Sequence, residues 1–238
     1  MTIRLIALLA MGVPVCLSAG NPSGASLAVY YSFDAPPSAA LVTEMQTEVD
    51  SILADSGVRV AWRALGSPRN GEDFHGVVVF HFRGVCSFDG YPVIHSRQAE
   101  SAAQPLASTY ITDGQVLPFG AVDCNRLRPY VAPVLTSLSP EERNAGLGRA
   151  IARVTAHEIY HMLTESEGHA RQGIARAVHS RAELTAPRFA FARTEANWLR
   201  SWAVTVSRRS TADTAGLRTE APEPEPAASE SVSSAAGR

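Results

Sequence analysis

The most constraining stretch of the chain runs from Ser139 to Ala170, SPEERNAGLGRAIARVTAHEIYHMLTESEGHA. Ser139 followed by Glu142 is a capping-box pattern, and Pro140 suits a first helical position, so a helix starts here. Gly146 and Gly148 weaken its early turns. On a helical wheel with Leu147 at zero, Ile151 falls at about 40°, Val154 at about 340° and Met162 at about 60°. A helix carrying such an apolar arc has to lie against a core. Glu158 falls inside the arc at about 20°, with His161 at about 320° and His157 at about 280°. A carboxylate on a core-facing stripe is costly unless its charge is compensated, and a divalent cation beside it would do so.

His157 and His161 are four apart and share one helix face. That spacing lets two imidazole nitrogens reach one zinc ion at roughly 2.0–2.1 Å. Glu158, directly after the first histidine, can point past the metal at a water and act as general base. A catalytic zinc takes three protein ligands and keeps one open position. His169, just after Gly168, is the preferred third ligand, because Gly168 can end the helix and turn the chain back. Glu183 and His179 are the alternatives, whereas Glu165 and Glu167 read as the solvated end of the helix. His75, His81 and His95 read as surface or satisfied core residues, and Tyr160 as packing.

The remaining composition narrows the function class. The net charge of −2 gives no support to nucleic-acid binding. All 21 basic residues are arginine, which excludes a phosphate-loop lysine and a lysine Schiff base. Residues 1–20 have the layout of a secretory signal peptide: Arg4, an apolar run from Leu5 to Leu17, then small residues. Export would place the protein in the periplasm or outside the cell. Signal removal takes Cys16 with it and leaves Cys86 and Cys124, which are expected to form one disulfide. In the chain-entropy treatment the loop they close is worth roughly 4 kcal/mol.

Strands are expected at Leu27–Phe33, Val58–Leu65 and Val77–Phe82, with a helix from Ser38 to Gly57 carrying Leu41, Met45, Val49, Ile52 and Leu53 on one side. Two short strands meet at the Asp113–Gly114 hairpin dipeptide, and a last helix covers Thr194–Val206. Beyond Arg208 the composition is Ala, Ser, Thr, Pro and Glu, so residues 208–238 read as a disordered tail after a domain spanning 27–207. No other apolar run is long enough to span a bilayer, and a monomer is expected.

Through His157, Glu158 and His161, and through the order of elements before them, the chain resembles the zincin metallopeptidases over roughly Leu27 to His169. The order is metzincin-like, but the third histidine comes eight residues after His161 instead of six, and no methionine follows Met162. The resemblance implies an α+β fold, a small mixed sheet packed on the first helix and the HExxH helix, with a mainly helical C-terminal part. It also implies a zinc-dependent hydrolase of peptide or protein substrates, with Leu106–Ile111 as the edge strand that receives the substrate. The alternative is a zincin-like domain that binds a protein partner without cleaving it.

Overall fold

The computed structural model describes residues 24–67, 71–91 and 105–219. The expected signal segment and His95 lie outside these residues. Five strands form one mixed sheet: β1 (Ala25–Phe33), β2 (Val58–Ala64), β3 (Gly76–Arg83), β4 (Ala107–Thr112) and β5 (Gln115–Asp123), in the order β2-β1-β3-β5-β4. The first four in that order run parallel, and β4 closes one edge antiparallel to β5. Along β3 the burial alternates, with Val78, Phe80 and Phe82 inside and Val77, His81 and Arg83 outside. One face of the sheet therefore carries the core.

Helix α1 (Ala39–Ala54) connects β1 to β2. Ser38 caps it by accepting from the Leu41 amide, and the five apolar residues expected on its inner side are its five buried residues. Helix α3 (Pro140–Thr164) begins with the complete Ser139–Glu142 capping box and packs on α1 within the same core. Gly146 and Gly148, read from sequence as weak helix formers, have a packing reason. A Cβ on Gly148 would sit 2.5 Å from the Leu41 carbonyl oxygen of α1, and one on Gly146 would sit 2.7 Å from Leu135 Cδ2. The glycines let α3 approach its neighbours closely. The Asp113–Gly114 turn joins β4 and β5 with φ of 50° and 73°, the positive pair that a type I′ hairpin requires.

Two helices were not anticipated from the sequence. Helix α2 (Cys124–Leu135) is capped by Asp123, but Pro129 and Pro133 break its pattern as a helix. Helix α4 (Arg181–Thr185) is a single capped turn, too short to show a period. The last helix also runs further than expected. Helix α5 covers Arg193–Thr219, so the stretch read as a tail from 208 is helical through Thr219, and residues 220–238 lie outside the described residues. Lack of apolar groups argues against packing, yet a helix already docked through Leu199 and Ala203 extends at little cost per residue. No helix among the described residues is long and apolar enough to cross a membrane.

Cys86 and Cys124 are joined, with Cα atoms 5.0 Å apart and both residues buried. The bond ties the segment after β3 to the first turn of α2. Non-reducing peptide mass spectrometry of the purified protein should recover the linked Cys86 and Cys124 peptides; two free thiols would contradict the pairing. For Gly148→Ala, overpacking against a backbone carbonyl costs about 1–3 kcal/mol, which outweighs a propensity gain of about 1 kcal/mol. The variant is expected to unfold at lower urea than the wild type.

Candidate metal centre

Helix α3 is buried along its whole second half, from Ala150 to Leu163. His157, Glu158 and His161 are only 8%, 6% and 7% exposed, so three polar groups stand at the edge of the core on consecutive turns. The helix ends at Thr164. Its left-handed cap is Glu165, at φ 49°, and the Glu165 and Ser166 amides both donate to the His161 carbonyl. The helix thus ends inside the 164–168 stretch, where it was expected to end, with Glu165 and not Gly168 as the left-handed residue, because a C-cap needs that residue directly after the last helical turn. The reversal still brings His169 back over the helix face.

The ring centroids of His157, His161 and His169 lie 4.6, 4.8 and 5.2 Å apart pairwise. One ligating nitrogen from each lies within 4.8 Å of the others, and His169 is the exposed member. Among the described residues this is the one such cluster of three His, Cys, Asp or Glu side chains. Backbone carbonyls set the tautomers of the two buried rings. His157 Nδ1 donates to the Ile174 carbonyl at 2.7 Å, and His161 Nδ1 donates to the Ser166 carbonyl at 2.5 Å. Each Nε2 is then left with a lone pair, and the two Nε2 atoms face each other 3.0 Å apart. Two lone pairs that close repel unless a cation lies between them. Their separation is near the roughly 3.3 Å edge of a tetrahedron built on 2.0–2.1 Å zinc–nitrogen bonds. Burial, and then the neighbouring imidazoles, push His157 down to about 3, and burial likewise lowers His161, so both rings stay neutral as ligands must. The donor set of three imidazoles fits zinc.

Glu158 is held apart from the histidines. Its Oε2 accepts from Thr109 Oγ1 of the edge strand at 2.7 Å. Burial pushes the carboxyl up to about 7, with the Thr109 contacts opposing the shift. A cation beside it would draw it back toward the ionised form. The four side chains open into a cleft of about 820 Å³ whose walls include Thr109 and Ile111 of β4, Tyr130 of α2, Val154 and His179.

The two alternative third ligands are engaged elsewhere. Glu183 Oε2 accepts from the Ser180 amide and hydroxyl and from Arg176, so it is the capping residue of α4. The Ser180 amide, first among those contacts, holds its carboxyl down at about 2. His179 is buried beside His157, but its Nε2 donates to the Ile174 carbonyl at 2.9 Å. His75 pairs with Ser26 and His81 with Asp34, as satisfied residues do.

Sequence reasoning missed Thr109 as the partner of Glu158, and it missed Arg153. The Arg153 side chain is fully buried one turn before His157, and it donates to Glu48 of α1 at 2.8 Å and to the carbonyls of Glu183 and Ala186 at 2.6 and 2.7 Å. Desolvation lowers its pKa, and the Glu48 carboxylate opposes this. Nothing in the local spacing distinguishes it from a solvated helix arginine.

The site is therefore a three-histidine centre, two of its rings buried and the third exposed, with an adjacent carboxylate, opening along a sheet edge. No protein-family profile matches the sequence, and no curated protein does. Among solved structures the chain is similar to archaemetzincin from Methanopyrus kandleri, at 11% identity and a TM-score of 0.43 over 77% of this chain and 98% of that one. It is also similar to a zinc-dependent peptidase from Methanocorpusculum labreanum (strain Z), at 13% identity and a TM-score of 0.46 over 73% and 99%.

Arg153→Met should be among the most destabilising substitutions, since it strands the Glu48 carboxylate and two carbonyls. A loss of about 3–5 kcal/mol is expected for breaking a buried pair from one side. Denaturant titration of the metal-free protein reads it; a loss under about 1 kcal/mol, the worth of an exposed pair, would contradict the role.

Proposed function

We propose that the protein is an exported zinc-dependent metallopeptidase, with His157, His161 and His169 as zinc ligands and Glu158 as general base. The observation that carries this reading is the pair of inward lone pairs on His157 and His161, set beside a buried carboxylate in an open cleft. A structural site would close with a fourth ligand, and both cysteines that could serve are in the disulfide. A zinc ion bound here would supply acidification of a water toward a pKa of roughly 7 and polarisation of a carbonyl.

The chain's own residues have separable tasks. Glu158 takes the proton of the attacking water and passes it to the leaving amine as the carbon–nitrogen bond breaks. Thr109 holds the carboxylate through one oxygen and leaves the other free for that proton. Strand β4 is the sheet's edge and lines the cleft, so an extended peptide can pair along it, with its backbone close to Glu158. Tyr130 and Val154 give the cleft an apolar wall for a substrate side chain. Export is supported by the signal-like leader and by a disulfide, which persists in oxidising compartments.

Metal analysis of the purified mature protein should give about one zinc per chain, and the His157→Ala, His161→Ala double variant should give none. Full zinc retention in that variant would refute the ligand assignment. Glu158→Gln is expected to keep zinc and lose cleavage of a casein or peptide-library substrate, because an amide cannot accept the proton. An active Glu158→Gln variant would remove the mechanism, and a zinc-loaded but inactive wild type would turn the reading toward a non-cleaving binding domain. A hydrogen bond to a charged group is worth about 1.5–3 kcal/mol, so Thr109→Val should lower kcat at least about tenfold, with Thr109→Ser restoring most of it. Equal rates for the Val and Ser variants would exclude a positioning role for Thr109.

A further inference from the structure

The Ile174 carbonyl does two things at once. It accepts His157 Nδ1–H at 2.7 Å and His179 Nε2–H at 2.9 Å. Ile174 is fully buried, and its own amide donates to the Ala190 carbonyl at 3.1 Å. The residue is thus held through both its N–H and its C=O, which belong to successive peptide planes. The next carbonyl along, that of Ala175, accepts the Ala170 amide at 2.8 Å, directly after His169. One short loop, turned at Gly173 with φ of 70°, therefore links the outer partner of His157 to the backbone of His169. A Cβ on Gly173 would meet the Ala190 carbonyl oxygen at 2.6 Å, so the loop sits tightly on the chain behind it.

His179 is itself fixed from three sides. Its carbonyl accepts Tyr130 Oη–H at 2.8 Å, its ring stands edge-on to Phe189 at 5.5 Å, and it stands edge-on to His157 at 5.6 Å. It borders the cleft, yet it is outside the cluster of convergent nitrogens. A buried histidine with this placement has a more specific task than filling space, because a leucine or phenylalanine would fill the same volume without donating to Ile174.

We infer that His179 is a positioning residue for the metal centre: through the Ile174 carbonyl it fixes the ring orientation of His157 and the loop that presents His169. The inference rests on the zinc-centre reading above. With two N–H groups entering one carbonyl, the peptide plane of Ile174 cannot tilt without weakening one of them. The His157 lone pair is held toward the cluster, and the same constraint passes through Ala175 to Ala170 and His169. Outer partners of ligating histidines act in this way on ligand orientation and metal affinity.

The test is zinc affinity of the intact mature protein, measured by competition with a chromogenic chelator, alongside the visible spectrum of the cobalt(II)-substituted form. His179→Leu leaves the Ile174 carbonyl in place but less firmly held, and should weaken zinc about 10-fold, the lower end of the cost of losing an outer partner outright. His179→Asn should behave likewise, because its amide is too short to reach Ile174, and it serves where the leucine variant fails to fold. His179→Gln places an N–H near the original Nε2 and should stay close to wild type in both affinity and cobalt spectrum. A wild-type affinity in the Leu or Asn variant would overturn the inference, as would a glutamine variant as weak as the asparagine one. Wild-type protein that holds no zinc at all would overturn the metal centre itself, and this inference with it.

Discussion

The buried guanidinium of Arg153 is the interaction on which the arrangement of the site rests. Its side chain is fully buried, and it joins three pieces of chain that share no secondary structure: α1 through Glu48, α3 on which it stands, and the segment around α4 through two carbonyls. Arginine suits this position because its fork of donors stays charged and can satisfy several acceptors at fixed angles. His157 follows one turn later on the same helix. Fixing α3 against α1 and α4 therefore also fixes where the histidine faces the cleft, and it holds Glu183 and Ala186 at a set distance behind it.

The centre itself is a set of polar groups held where the core would be more stable without them. His157, Glu158 and His161 interrupt a helix whose neighbours are Ile159, Met162 and Leu163. Their outer atoms are all satisfied: Nδ1 by a carbonyl on each ring, and Oε2 by Thr109. Only the inner lone pairs face one another without a partner. Satisfying the outside of each group while leaving the inside unsatisfied is what prepares a protein for a cation. Outer hydrogen bonds cost nothing in chemistry and fix direction.

The sheet edge and the helix meet at one contact, Thr109 to Glu158. This makes the edge strand part of the environment of Glu158. In the sequence, two short strands could be read from their composition and the turn between them, and the resemblance to zincins pointed to Leu106–Ile111 as an edge. That Thr109 in particular reaches Glu158 depends on the register of β4 against β5, where the pairing shifts between Thr109 and Ile111. Such a register shift leaves little trace in residue type. Helix α2 was hidden for a related reason. Pro129 and Pro133 argue against a helix locally, yet the capped, disulfide-anchored segment folds as one because Leu127, Val131 and Leu135 are buried.

What the sequence determined by itself was local. Capping residues set where α1 and α3 begin, apolar spacing set which side of each faces inward, and Asp113–Gly114 set the hairpin. The four-residue interval of His157 and His161 put two imidazoles on one face. These follow from backbone geometry within a few residues, and no partner is needed to read them. The tertiary structure alone decided what comes from a distance. It chose among the candidates the sequence had offered, bringing His169, the preferred one, back over α3 through a left-handed cap at Glu165. It sent Glu183 to cap α4 and His179 to the Ile174 carbonyl, and it made Arg153 a buried tie instead of a solvated charge. A side chain with several acceptable partners is assigned only when packing chooses which of them is within 3 Å, and that choice is made by contacts far apart in the chain.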